Sequence, residues 1–140
     1  MSLALYPSLV FTVVLLFATG YFIMGGFPLL ILSHDTPKDA RFVGKFLGVY
    51  YNCTFWPATG ASISYALWGH ATPATAAAAV ALSAMVLKRR LGPVMDQIAR
   101  QIEANHPKAI ARYRKLHSAT LAINVTQLLV ILWSVSRVPL

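Results

Sequence analysis

Residues 7–32 read PSLVFTVVLLFATGYFIMGGFPLLIL, 26 residues without a formal charge. A hydrocarbon core about 30 Å thick needs roughly 20 apolar helical residues to cross it. The stretch is long enough to span with tilt. Gly20, Gly25, Gly26 and Pro28 would break a helix in water, but in lipid the backbone must stay hydrogen bonded, so a kink is expected rather than an unwound loop. The first basic residue is Lys38, so this run lacks the basic leader and short apolar core of a cleavable signal. No lipidation motif is expected either, since Ser2 follows Met1 and Cys53 is far from both ends.

The rest of the chain follows the same pattern. It is 57% hydrophobic and 11% charged, against about 25% charged in ordinary globular proteins. All charges fall in two stretches and at the C-terminal tip. Further spans are expected over about 46–68, 73–87 and 118–136, making residues 1–140 a single all-α domain, an integral membrane four-helix bundle. Thr36, Pro37 and Asp39 resemble a capping box that starts the second helix at Pro37, ahead of its apolar part. Gly69 is its expected stop. Thr72-Pro73 repeats the cap-plus-proline signal. The third span has only 15 residues before Lys88, about 22 Å at 1.5 Å each. Its many alanines permit close backbone approach and suit a central position.

Residues 88–115 form the larger polar segment, with Gly92-Pro93 expected to break the helix. Beyond it, Val94, Ile98 and Ile102 recur at four-residue spacing with Met95 beside them, and Asp96, Arg100 and Glu103 lie elsewhere around the turn. That is a basic amphipathic cytoplasmic hairpin, expected to rest on the membrane surface, on an acidic partner or on the base of the fourth helix. Asn105-His106-Pro107 should end it. Ala109, Ile110, Tyr113 and Leu116 then lead into the last span.

With four spans both termini share one side. Eleven of the twelve basic residues, all but Arg137, lie on the other. The positive-inside rule assigns segments 33–45 and 88–115 to the cytoplasm and both termini to the outside, in a bacterial inner membrane. Tyr6, Trp68 and His70 would sit at the outer interface. The net charge of +8 is therefore read as topology and contact with anionic lipid head groups, through Lys88, Arg89, Arg90, Arg112, Arg114 and Lys115, and not as nucleic-acid binding.

Chemistry-bearing residues are few. In the fourth span His117, Thr120, Asn124 and Gln127 recur at spacings of three, four and three, one polar stripe on an apolar helix. Polar groups in hydrocarbon seek partners, so the stripe should face the other helices. It reads either as interhelical hydrogen bonding or as a ligand or proton site, with His117 able to titrate near neutral pH. Asn52 and Thr54 in the second span are expected to meet it, and Tyr51 is a further candidate for a ligand site. Gly44 and Gly48 make a G-x-x-x-G pattern, read as close packing within the chain. The four histidines have no metal-ligand spacing, and Cys53 is alone. No metal site is assigned, and the cofactor is unknown.

Leu116 to Leu129, LHSATLAINVTQLL, resembles the closing helix of small bacterial membrane proteins of unknown function related to the transmembrane protein 205-like family. That helix has the form L-H-x-x-S-x-x-x-N followed by Gln, matched here by Leu116, His117, Asn124 and Gln127, with Thr120 in place of Ser. The glycine-rich first helix (Gly25, Gly26, Pro28) and the Gly48, Tyr50, Tyr51 segment are also similar. The resemblance implies a four-helix membrane protein and no particular reaction. The size and helix count are also similar to HemJ-type protoporphyrinogen oxidases, whose first-helix histidine this chain lacks. Three functions are expected in order: an accessory or interaction subunit without catalysis of its own, bound to a protein partner or a second copy; a small ligand- or haem-linked membrane enzyme centred on His117, Tyr51 and Asn124; and a small transporter. The polar stripe of ten residues covers only about 15 Å, which places the transporter last.

Overall fold

The computed structural model describes residues 3–31 and 37–138. They form four α-helices: α1 (Leu5–Ile31), α2 (Pro37–Leu67), α3 (Ala71–Glu103) and α4 (Ala109–Val135). Among them α1, α3 and α4 are long and apolar enough to cross a membrane. The second helix is as long but lacks a comparably apolar stretch. Lys38, Asp39, Arg41 and Lys45 occupy its first turns, and Tyr50, Tyr51, Asn52, Thr54, Thr59, Ser62 and Ser64 follow.

Each helix packs against its neighbour in the chain, and α4 also contacts α1. Side-chain contacts fix the directions. Thr12 meets Tyr65, and Phe22 meets Tyr50, so α1 and α2 are antiparallel. Ser62 bonds the Ala74 carbonyl, and Lys88 bonds Asn52, so α2 and α3 are antiparallel too. The start of α2, the end of α3 and the start of α4 therefore meet at one end, tied by Tyr113 to the Ala40 carbonyl and by the Arg41–Glu103 ion pair. Nearly all the basic residues gather there.

The helix ends follow the local sequence in part. Helix α2 begins at Pro37 as expected, while its expected cap Thr36 lies outside the described residues, as do Leu32 and His34. Gly69 closes α2 at φ +84°, a left-handed geometry that costs a glycine nothing. Asn105 takes φ 54° in the α3–α4 turn, which asparagine tolerates better than most residues. The Thr72-Pro73 cap is corrected. Helix α3 begins at Ala71 after His70, with no side-chain cap. Pro73 sits in the first turn, where its missing N–H would have lacked a partner anyway.

The larger correction concerns Gly92-Pro93, which does not break the helix. Helix α3 runs 33 residues through Pro93, so segment 88–103 is helix and the connection to α4 is a short turn. A proline inside a helix costs about 3 kcal/mol. Glycine before it removes the Cβ that would clash with the proline ring. Met95, Ile98, Ala99 and Ile102 are all buried against Val43, Leu47, Tyr50, Tyr51, Ala109 and Tyr113. Burying each large apolar side chain stabilises by roughly 1.5–3 kcal/mol, enough to offset the break. The apolar stripe of this segment is thus turned onto α2 and α4; packing on the base of α4 is one of the expected alternatives, and the cover from α2 goes beyond it.

Close helix approach also lies elsewhere than expected. A Cβ on Gly48 would meet nothing within 4 Å, and one on Gly44 only Met95 at 4.0 Å. The G-x-x-x-G pair faces Gly92 and Met95 of α3 across a small void, with room for a Cβ at both positions. Gly60 is the tight contact: a Cβ there would stand 2.7 Å from the Phe11 ring. Gly25 and Gly26 likewise admit Phe46 and Leu121, each at 3.0 Å. Nor is α3 enclosed, since Thr75, Ala79, Leu82 and Val86 along it are exposed.

Candidate functional site

The polar stripe of α4 faces inward. His117, Thr120, Asn124 and Gln127 are all buried, with Leu121 and Tyr113 on the same face. Their spacing keeps them on one side of the helix, and for Gln127 α2 and α3 supply the partners. The Tyr50 hydroxyl donates to Gln127 Oε1 at 2.8 Å, and Gln127 Nε2 donates to Ser83 Oγ at 2.7 Å. Ser83 in turn donates to the Val80 carbonyl at 2.8 Å. One amide therefore links α2, α3 and α4 with both ends satisfied. Ser83 was not foreseen in this role, although it is the one hydroxyl between Thr75 and Lys88 in an alanine-rich helix.

The other stripe residues differ. Thr120 donates to the His117 carbonyl of its own helix at 2.7 Å, which satisfies it locally. Asn124 is buried, and its Oδ1 has no hydrogen-bond partner; the same holds for Tyr51 Oη and Thr54 Oγ1 on α2. A buried polar atom left unpaired costs roughly 1–3 kcal/mol, so these atoms mark where the interior is polar without being closed. A further tie joins Thr12 to Tyr65 at 2.9 Å near the opposite end.

Asn52 is corrected. It does not meet the α4 stripe, but is exposed on the far side of α2, where Lys88 Nζ donates to its Oδ1 at 2.6 Å. The two residues border an open groove of about 540 Å³ between α2 and α3, lined also by Tyr51, Trp56, Met85 and Arg89. The sequence periodicity of α2 alone could not show this, because polar residues occur around most of its circumference.

Of the remaining basic candidates, Arg90, Arg112, Arg114 and Lys115 are exposed. Among the described residues, no carboxylate lies within ion-pair distance of Lys88, Arg89 or Arg90, while Arg41 pairs with Glu103. Tyr113 is buried and donates to the Ala40 carbonyl at 2.7 Å. Burial pushes its phenol well above the ordinary tyrosine range, and the negative charge of Asp39 adds to the shift.

Among the described histidines only His117 is buried. His70 stands edge-on to Trp68 with ring centres 4.2 Å apart, and His106 is exposed in the α3–α4 turn. No group of three His, Cys, Asp or Glu side chains among the described residues could hold a metal ion. Cys53 is exposed on α2.

A second, more apolar groove of about 370 Å³ runs along the outside of the α3–α4 seam, between Ala79, Ser83, Ala122 and Thr126. Comparison with family models, with curated proteins and with solved structures found no match to this chain.

Proposed function

We propose that the protein is a small four-span membrane protein, similar to the transmembrane protein 205-like group, that acts as an accessory or interaction subunit. The membrane reading is supported by an inverted pattern on α1. Its buried stripe is Ser8, Thr12, Leu15, Thr19, Ile23 and Gly26, whereas Val10, Val13, Phe17, Tyr21 and Met24 are exposed. Such a contiguous apolar face is unfavourable in water and ordinary in lipid. Helix α2, which has no stretch as apolar as those of the other three helices, is tolerated there because Tyr50, Tyr65 and Ser62 have partners on other helices. The charge asymmetry supports a cytoplasmic basic end and outer termini in a bacterial inner membrane.

The observation that carries the interaction reading is the α3–α4 groove. Small side chains on both its walls permit close approach of another apolar helix, the usual basis of helix association in lipid. The partner is a membrane helix of another protein or of a second copy. Native gel or mass analysis after mild solubilisation tests this. The expected result is a species heavier than 15.3 kDa that Ala122→Leu reduces to the monomer with helicity unchanged. Wild-type protein that runs alone ends the subunit reading.

A small ligand-binding membrane enzyme is a second reading, favoured by the buried unpartnered atoms of Tyr51 and Asn124. Its haem version fits poorly, since His117 is the sole buried histidine among those described. An absorption spectrum with a haem band lost in His117→Ala would favour this reading, and a colourless preparation would remove its haem form.

A further inference from the structure

The groove between α2 and α3 carries three features that the interaction reading does not use. The first is unbalanced positive charge. Lys88 and Arg89 line it, Arg90 follows, and among the described residues the one hydrogen bond to this trio from another helix is that of the neutral amide of Asn52. The second is depth. Asn52 lies half a turn from Tyr50, whose ring is 5.3 Å from Phe22 of α1. Lys88 is therefore roughly level with Phe22, yet α1 stays apolar to Ile31, with Met24, Phe27 and Ile31 exposed. Nine further residues at 1.5 Å place the cations about 13 Å inward of the apolar end of α1. The third is an unanswered hydroxyl. Tyr51 is 2% exposed, lines the groove, and its Oη has no hydrogen-bond partner.

Cations at that depth need an anion or a route to water. Trp56 and Met85 flank them with apolar surface, so the groove is cationic at one end and apolar along its wall. We infer that it holds one anionic phospholipid, its phosphate between Lys88, Arg89 and Asn52 and an acyl chain along Trp56 and Met85. The groove leaves Arg112, Arg114 and Lys115 on α4 outside this site. The inference rests on the membrane reading above, and it adds a particular lipid class at a particular place.

Trp56 reports on the groove once Trp68 and Trp133 are changed to Phe. Full-length protein of this kind is placed in phosphatidylcholine nanodiscs with increasing brominated phosphatidylglycerol, and Trp56 quenching is followed. The expected result is saturable quenching at low mole fraction, stronger than by brominated phosphatidylcholine at equal content. Lys88→Gln with Arg89→Gln should weaken the preference roughly thirtyfold, as two interfacial charges are lost. Arg112→Gln with Arg114→Gln should leave it nearly unchanged. Equal quenching by the two lipids overturns the site while the membrane reading stands. No quenching by either lipid overturns the membrane reading itself. Loss of the preference on adding inorganic phosphate, at constant ionic strength, overturns a lipid occupant in favour of the free anion.

Discussion

The Tyr50 hydroxyl donates to Gln127 Oε1 at 2.8 Å across the interior from α2 to α4. With Ser83 on the other side of the same amide, this contact fixes the rotation of α4 about its own axis. Any other rotation would bury the amide unpaired or turn it outward.

Tyr50→Phe and Gln127→Leu should each destabilise the protein by about 0.5–1.5 kcal/mol, near the upper range of interhelical hydrogen bonds in membranes. The double variant should cost less than the sum, because removing both partners leaves no orphaned group. Unfolding in mixed micelles with increasing dodecyl sulfate measures all three. Strict additivity would mean that the bond contributes nothing.

Gly60 and Gly48 should respond oppositely to alanine. A Cβ at position 60 meets the Phe11 ring at 2.7 Å, and overpacking of this kind costs roughly 1–3 kcal/mol. Phe11→Leu in the same chain should recover much of that loss. Gly48→Ala meets nothing and gains helix propensity, stabilising by up to about 1 kcal/mol. The same unfolding assay ranks them, and a destabilised Gly48→Ala would restore the G-x-x-x-G seam.

Ile98 is 1% exposed and lies in the cluster with Val43, Leu47 and Tyr113. A cysteine placed there should resist both a water-soluble thiol reagent and a lipid-phase quencher. Gln97→Cys, one residue away and exposed, should label quickly. Quenching of a label at 98 from the lipid phase would mean that the end of α3 lies flat in the headgroup region instead of packing on α2 and α4.

Tyr113 makes stability fall at high pH. Its folded phenol titrates well above the ordinary value near 10. Above pH 10 the unfolded chain loses this proton while the folded chain keeps it. The unfolded state then binds fewer protons, so unfolding free energy drops as pH rises. Tyr113→Phe should lower stability at pH 7 by about 1 kcal/mol, through the lost bond to the Ala40 carbonyl. It should also flatten the decline above pH 10. Identical slopes in the two proteins would contradict the shift.

Much of the architecture was open to reading from the chain alone. Apolar runs, the Gly69 stop, the Pro37 start and the Asn105-His106-Pro107 turn depend on local backbone chemistry, and they mark the helices where they occur. The stripe His117, Thr120, Asn124 and Gln127 was also legible, because four polar residues at helical spacing on an apolar helix need one polar environment. Its partner Ser83 was not, since hydrogen bonding across helices depends on their relative rotation.

What the sequence determined by itself is thus the all-helical class, the apolar character of α1, α4 and the first part of α3, and the clustering of cations in two segments, all properties of residues close along the chain. Tertiary structure decided that α3 passes through Gly92-Pro93, that Gly60 and not Gly48 is the tight contact, and that Asn52 turns to Lys88 instead of to α4. Each is a balance between a local preference and contacts made by residues distant in sequence. A proline's cost of about 3 kcal/mol is comparable to burying one or two large side chains. Met95, Ile98 and Ile102 outweigh it only because α2 and α4 stand where they can cover them.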